Sequence, residues 1–215
     1  MNPEFSYTLP AYQTACGCVD IMMHTLERYF TNVKDVALTD RLCEGLLRTM
    51  VEVSPRAIEN PSDYALRAEI MWAGSISHNG LMDTGRIGDF ASHEIEHQLG
   101  AVYDIAHGAG LAIVFPGWCR YVYKHNLKRF VQFAVRVMGV DENFENPEET
   151  AMEGIKRIEA LFRKIGMPVR LSDANIGSEH WEAMANRCTK NDTVKVGNFL
   201  PLARADIIRI FELCR

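Results

Sequence analysis

The chain reads as an all-α domain. Apolar side chains recur at helical spacing along almost its whole length. No alternating apolar/polar run is long enough for a strand, apart from Phe5–Leu9. Glycine, proline, asparagine and aspartate punctuate the periodic stretches, and no internal repeat or low-complexity tract divides them.

The elements follow in order. Residues 11–31 carry Val19, Met22, Met23, Leu26, Tyr29 and Phe30 as one broad apolar face. Thr39 or Asp40 is placed to cap a second helix, which runs through Leu42, Leu46, Leu47, Met50 and Val51 and is expected to stop at Ser54-Pro55. Asn60-Pro61-Ser62 opens a third, ending near His78-Asn79-Gly80. A loop with Asp83, Gly85 and Gly88 precedes the stretch 89–103. Gly108 and Gly110 mark a junction, and a strongly apolar helix follows from Leu111 through Trp118 and Tyr121, with Pro116 expected to distort it. Residues 127–139 form another helix, Glu142 to Glu149 an acidic connector, and 148–165 a helix stopped by Gly166 and Pro168. Ser172-Asp173, Asp192 and Leu200-Pro201 bracket two last helices.

Composition narrows the function. The 215 residues are 47% hydrophobic and 24% charged, which suits a globular domain with a sizeable core. A net charge of −5 disfavours nucleic acid or an anionic membrane as partner, since both need a basic face. The stretch MNPEFSYTLPAYQ does not read as a secretory signal, and no apolar run approaches the ~20 residues of a membrane span. Six scattered cysteines, with Cys16 and Cys18 too close for a CxxC pair, read as reduced thiols of a cytoplasmic protein. There is no GxGxxG after a strand and no GxxxxGK[ST]; Gly108-Ala109-Gly110 follows a histidine instead.

The chemistry lies in the histidines. Asp20 and His24 stand four apart, as do His93 and His97, and His107 follows soon after. Residues i and i+4 share one helix face, so each pair can aim at one point. Imidazole with carboxylate suits Zn2+ or Fe2+. The apolar neighbours Val19, Ile21, Met22 and Met23 imply a partly buried Asp20, costly unless paired or ligated. Singly, such a pair is an ordinary hydrogen-bonded pair; two pairs and a third histidine among only seven point to a metal. His125 and His180 read as surface residues, and His78 as a residue able to line a cleft. His93-Glu94-Ile95-Glu96-His97 also matches HExxH of zinc proteases, with Gly100 where the longer motif wants glycine. Tyr103 stands where its third histidine belongs, and the next glutamate after Glu96 is Glu142, so this alternative lacks a third ligand.

In these residues the sequence resembles the iron-containing (group III) alcohol dehydrogenases, in particular their butanol dehydrogenase branch. The resemblance begins at Asn2-Pro3-Glu4-Phe5-Ser6-Tyr7-Thr8-Leu9-Pro10, passes Gly17-Cys18-Val19-Asp20 and His24-Thr25-Leu26-Glu27-Arg28-Tyr29, and continues through the histidines into Gly108–Pro116. It persists weakly around Ile165-Gly166-Met167-Pro168. It implies the multi-helix C-terminal domain of the dehydroquinate synthase-like/iron alcohol dehydrogenase type. It implies one divalent metal, Fe2+ or Zn2+, on Asp20, His24, His93 and His107. It puts His97 near nicotinamide and substrate rather than on the metal, and Thr8, Leu9 and Pro10 at the nicotinamide end of NAD(P). Residues 1–10 would be the remnant of a junction with an absent nucleotide-binding domain, a strand-like Phe5–Leu9 included, and 11–215 the metal-binding catalytic domain. The implied substrates are small alcohols and aldehydes, and the implied assembly is a homodimer of the whole enzyme. A helical fragment that binds metal and turns over nothing is the alternative of a different class.

Overall fold

A computed structural model describes all of residues 1–215. Nine α-helices follow one another: α1 (Ala11–Tyr29), α2 (Ala37–Glu59), α3 (Tyr64–His78), α4 (Ala91–Tyr103), α5 (His107–Val122), α6 (Leu127–Arg136), α7 (Pro147–Lys164), α8 (Trp181–Cys188) and α9 (Arg204–Leu213). The all-α expectation holds, and the only β pairing is one isolated bridge between Val196 and Leu202. Phe5–Leu9 is not a strand. Pro3–Ser6 forms a short 3-10 helix, opened by the Asn2 side chain accepting from the Glu4 N–H. That helix packs on α3, so its backbone closes locally instead of seeking a strand partner.

α5 is the centre of the molecule. Thirteen of its residues are buried, and α1, α4, α7 and α9 all pack on it. Phe30, which caps the end of α1, meets Phe115 and Trp118 of α5, Phe130 and Phe133 of α6, and Phe199, with ring centroids 4.5–6.1 Å apart. Such offset and edge contacts add to the burial of each ring. All six cysteines are free and buried.

Four boundaries and one cap differ from those expected. α2 runs on through Pro55 to Glu59; only one N–H is lost there, while Ser54 Oγ donates to the Met50 carbonyl one turn back. α3 therefore starts later, with Asp63 as its cap, accepting from the Leu66 N–H. Asp40 does not cap α2: it is buried in the first turn, bound by Arg86 (2.9 Å), Arg129 (2.6 Å) and Gln132 (3.1 Å). The Gly108–Gly110 junction is the first turn of α5 itself. Glycine is needed there for close approach: a Cβ on Gly108 would lie 2.6 Å from Cys16 Cα, and one on Gly110 2.7 Å from Glu96 Cγ. α5 also continues through Pro116 as one element, and α6 ends at Arg136 rather than near 139. No helix is long and apolar enough to cross a membrane.

Candidate metal centre

α1 sets Asp20 and His24 one turn apart on the face that meets α3, α4 and α5. The N-terminal turn of α4 brings His93, the first residue of α5 brings His107, and the last residue of α3 brings His78. Asp20 Oδ1 lies 3.6 Å from His24 Nε2, 3.6 Å from His93 Nε2 and 3.4 Å from His107 Nε2. These gaps exceed a hydrogen bond of 2.7–3.2 Å. Asp20 Oδ1 and His93 Nε2 are accordingly buried with no hydrogen-bond partner. Donors held 2.0–2.1 Å from a tetrahedral ion stand roughly 3.4 Å from one another. The residues therefore fit a divalent cation better than they fit each other.

Two carboxylates hold the rings from behind. Glu27, on the same face of α1 as Asp20 and His24, is 1% exposed at its side chain and bonds His93 Nδ1. It also accepts from the Ser92 N–H at 2.6 Å, so it serves as the anionic cap of α4, whose own N-cap residue, Phe90, offers no side chain. Glu96 bonds His107 Nδ1 in the same manner. In each case Nδ1–H donates to the carboxylate, so that Nε2 is the nitrogen that faces Asp20 and whose lone pair opens toward it once the ring is neutral. His24 lacks such a partner: its Nδ1 faces Arg28 Nη1 at 3.2 Å, while Arg28 is held by Asp83 at 2.6 Å and by its own bond to the His24 carbonyl.

The charges of the ion-free site follow. Burial opposes ionisation of Asp20, but the His107 and His93 side chains outweigh it and hold the carboxyl well below the usual range. Burial likewise opposes charging His93, yet Asp20 and Glu27 raise it to about 9. Asp20 and then Glu96 raise His107 to about 10. Burial lowers His24 to about 4, against the pull of Asp20, so that ring is neutral at pH 7.

The three histidines thus each face Asp20 Oδ1; Asp20, His93 and His107 have ligand atoms within 4.8 Å of one another, while His24 groups with Asp20 and His78. His97 lies one turn beyond His93, exposed to solvent, its ring stacked on that of His107 at 5.6 Å and 6.2 Å from that of His93. No ligand-competent group contains His93 and His97 together, and Glu94 points to solvent, so the HExxH pairing is not formed. Thr8, Leu9 and Pro10 are exposed just before α1, about 15 Å of helix rise from Asp20. Leu9 lines a cavity of about 200 Å³ with Gln13, Gly17, Ile21 and Gly74. Sequence reasoning missed Glu27 and Glu96 as supports of the centre, and His78 as a neighbour of Asp20. The first two had a signal, since Glu27 falls three after His24 and Glu96 three after His93.

Known proteins resemble the chain in sequence and in fold. The family model described as "Fe-containing alcohol dehydrogenase family, C-terminal" matches residues 14–214. The chain is 40% identical to a probable NADH-dependent butanol dehydrogenase of Bacillus subtilis, over 99% of this chain and 55% of that protein. The crystal structure of NADH-dependent butanol dehydrogenase A from Thermotoga maritima superposes with a TM-score of 0.91 at 38% identity, over 99% of this chain and 54% of that one. The substrate- and cofactor-free aldehyde reductase YqhD of Escherichia coli superposes with a TM-score of 0.94 at 31% identity, over 99% and 56%. The chain spans about half the length of the curated relatives it matches. By its sequence and by its fold, the chain belongs to the iron-containing alcohol dehydrogenase family.

Proposed function

We propose that Asp20, His24, His93 and His107 hold one divalent ion, Fe2+ or Zn2+, in the reversible NAD(P)-linked oxidation of a small alcohol to an aldehyde or ketone. The observation that carries this reading is Asp20 Oδ1, buried and unpartnered among three imidazole Nε2 atoms. When bound, such an ion supplies a Lewis acid that polarises the substrate oxygen. The chain's own residues do the rest. Glu27 and Glu96 keep the His93 and His107 protons on Nδ1, so both rings present a lone pair inward. His97, solvent-facing beside His107, passes the alcohol proton to water as a general base and returns it as a general acid. The butanol and aldehyde activities named for the relatives support small alcohols and aldehydes as the substrate class.

Residues 1–10 then serve as the joint to a nucleotide-binding part, with Thr8, Leu9 and Pro10 toward the nicotinamide, and residues 11–215 as the metal-holding part. Hydride transfer belongs to the nicotinamide, and the protein orients it. Turnover in this reading needs that other part as well.

The test separates the ligand sets. Metal analysis of purified variants is expected to show the ion lost from His93→Ala and His107→Ala and retained by His97→Ala. Equal loss in all three would favour the HExxH pairing. An NAD(P)H-linked aldehyde assay completes it, on the chain alone and fused to the remaining part of a relative. Metal retained with no turnover in either form would make the chain a non-catalytic metal-binding domain.

A further inference from the structure

We propose that the cavity between the end of α5 and the C-terminal half of α7 binds a small phosphate-bearing anion. The cavity holds about 510 Å³, and no residue of the metal centre lines it. Its α5 residue, Arg120, comes thirteen positions after His107, roughly 20 Å along the helix axis.

Charge sets this cavity apart. Arg120, Lys156, Arg163, Lys164 and Arg170 line it, against one carboxylate, Glu159, and one apolar side chain, Ala160. Four positive charges are thus left over, on a chain whose net charge is −5. Arg163 and Lys164 stand in the last turn of α7, where they also answer its C-terminal carbonyls. That ordinary role does not cover Lys156, two turns earlier, nor Arg120 and Arg170, which arrive from outside α7. Lys156, Ala160 and Lys164 follow at four-residue spacing, so the two lysines share one helix face with only a methyl group between them.

Glu159 organises the arginines. One of its oxygens accepts from Arg120 Nη2, the other from Arg170 Nη2 at 2.7 Å. The three side chains are only 12–27% exposed, so both guanidiniums are held before any ligand arrives. Burial opposes the charge of Glu159, but the guanidiniums outweigh it and keep its carboxyl below the usual range. One carboxylate does not satisfy both forks: Arg120 Nη1 is buried without a partner. A guanidinium fork matches phosphate oxygens, and a preset fork loses little freedom on binding. A cavity of this size suits a small ligand. A nucleic acid strand is disfavoured, because no aromatic side chain lines the cavity for a base to stack on and the whole chain is acidic.

Calorimetric titration of the purified, metal-free chain with inorganic pyrophosphate and with adenosine diphosphate tests this. Pyrophosphate is expected to bind one to one. Lys156→Gln and Lys164→Gln, both at exposed positions, are expected to keep the fold and to weaken binding about fivefold each. Arg170→Gln, which leaves Glu159 its bond to Arg120, is expected to weaken it further than either. Lys128→Gln, on α6 and outside the cavity, is expected to change nothing. Equal binding of adenosine diphosphate assigns the site to phosphate groups in general; binding of pyrophosphate alone assigns it to the inorganic ion. No saturable binding of either, or equal loss in Lys128→Gln, means unspecific attraction and overturns the site. Binding untouched by the Lys156, Lys164 and Arg170 changes places the anion elsewhere and overturns it as well. None of these outcomes depends on whether the metal centre takes up an ion.

Discussion

In the proposed centre, protons and a divalent ion would compete for the same lone pairs around Asp20. In the ion-free chain His93 and His107, raised to about 9 and about 10, both carry a proton at pH 7. Asp20 is ionised throughout that range, and His24 is neutral. Loading one ion at pH 7 therefore releases about two protons, and apparent affinity climbs about a hundredfold per pH unit from 7 toward 9. Calorimetric titrations in buffers of different ionisation enthalpy measure that proton count; a count near zero contradicts it. The same groups set the stability of the ion-free chain. A histidine whose folded pKa is raised stabilises fully below its unfolded value and loses that contribution as pH rises through the folded one. The ion-free chain is accordingly expected to lose stability between about pH 6.5 and 10. The loaded chain, with those nitrogens on the metal, is expected to lose less, as urea melts at several pH values check. His78 shows why residue types alone did not reveal every group beside Asp20. In sequence it stands with His125 and His180, far from the proposed ligands, and only the crossing of α3 over α1 brings it to Asp20.

The first turn of α5 is where helix packing and chemistry meet. Gly110 gives Glu96 its passage to His107, so Gly110→Ala drives a methyl into the Glu96 stem. The expected cost is about 1–3 kcal/mol in urea melts, as for other overpacked sites. Metal affinity is expected to fall about 10–100-fold, as when a ligand's supporting partner is lost. Unchanged affinity would mean that Glu96 does not position His107. A second element-scale test is Asp40→Ala, which strands the buried guanidiniums of Arg86 and Arg129 between α2 and α6. Breaking such a group is expected to cost about 3–5 kcal/mol, read from the denaturant midpoint. Helix identity was legible from apolar period, because each helix buries one stripe. Pro55 was misread because a single missing N–H inside a packed helix costs less than ending it. Gly108 and Gly110 were misread because glycine signals both a break and a close crossing, and only the neighbouring chain distinguishes the two. The gathering of His24, His93 and His107 around Asp20 was legible through spacing and family resemblance together. Spacing alone paired His93 with His97, since i,i+4 ignores what another helix brings.

Across the whole molecule, the donors tie segments far apart in the chain: Asp20 and His24 near one end, His93 and His107 about seventy residues later, with α2 and α3 between them. An ion that binds only the folded form stabilises by about 2.7 kcal/mol at a free concentration a hundred times its Kd. For a chain of this length that is expected to raise the thermal midpoint by about 5–10 °C, reversed by a chelator. A midpoint indifferent to metal would contradict a preformed site. The long separation of the donors also bears on how the chain folds. None of the local turns brings two of the distant residues together, so the cluster closes only after α5, with α4 packed on it, has met α1. In stopped-flow experiments, metal is therefore expected to leave the refolding rate nearly unchanged and to slow unfolding by most of its equilibrium effect. In the proposed centre the ion would act as a latch set after assembly, and the histidines at Asp20 would control the lifetime of the native state rather than the speed of reaching it.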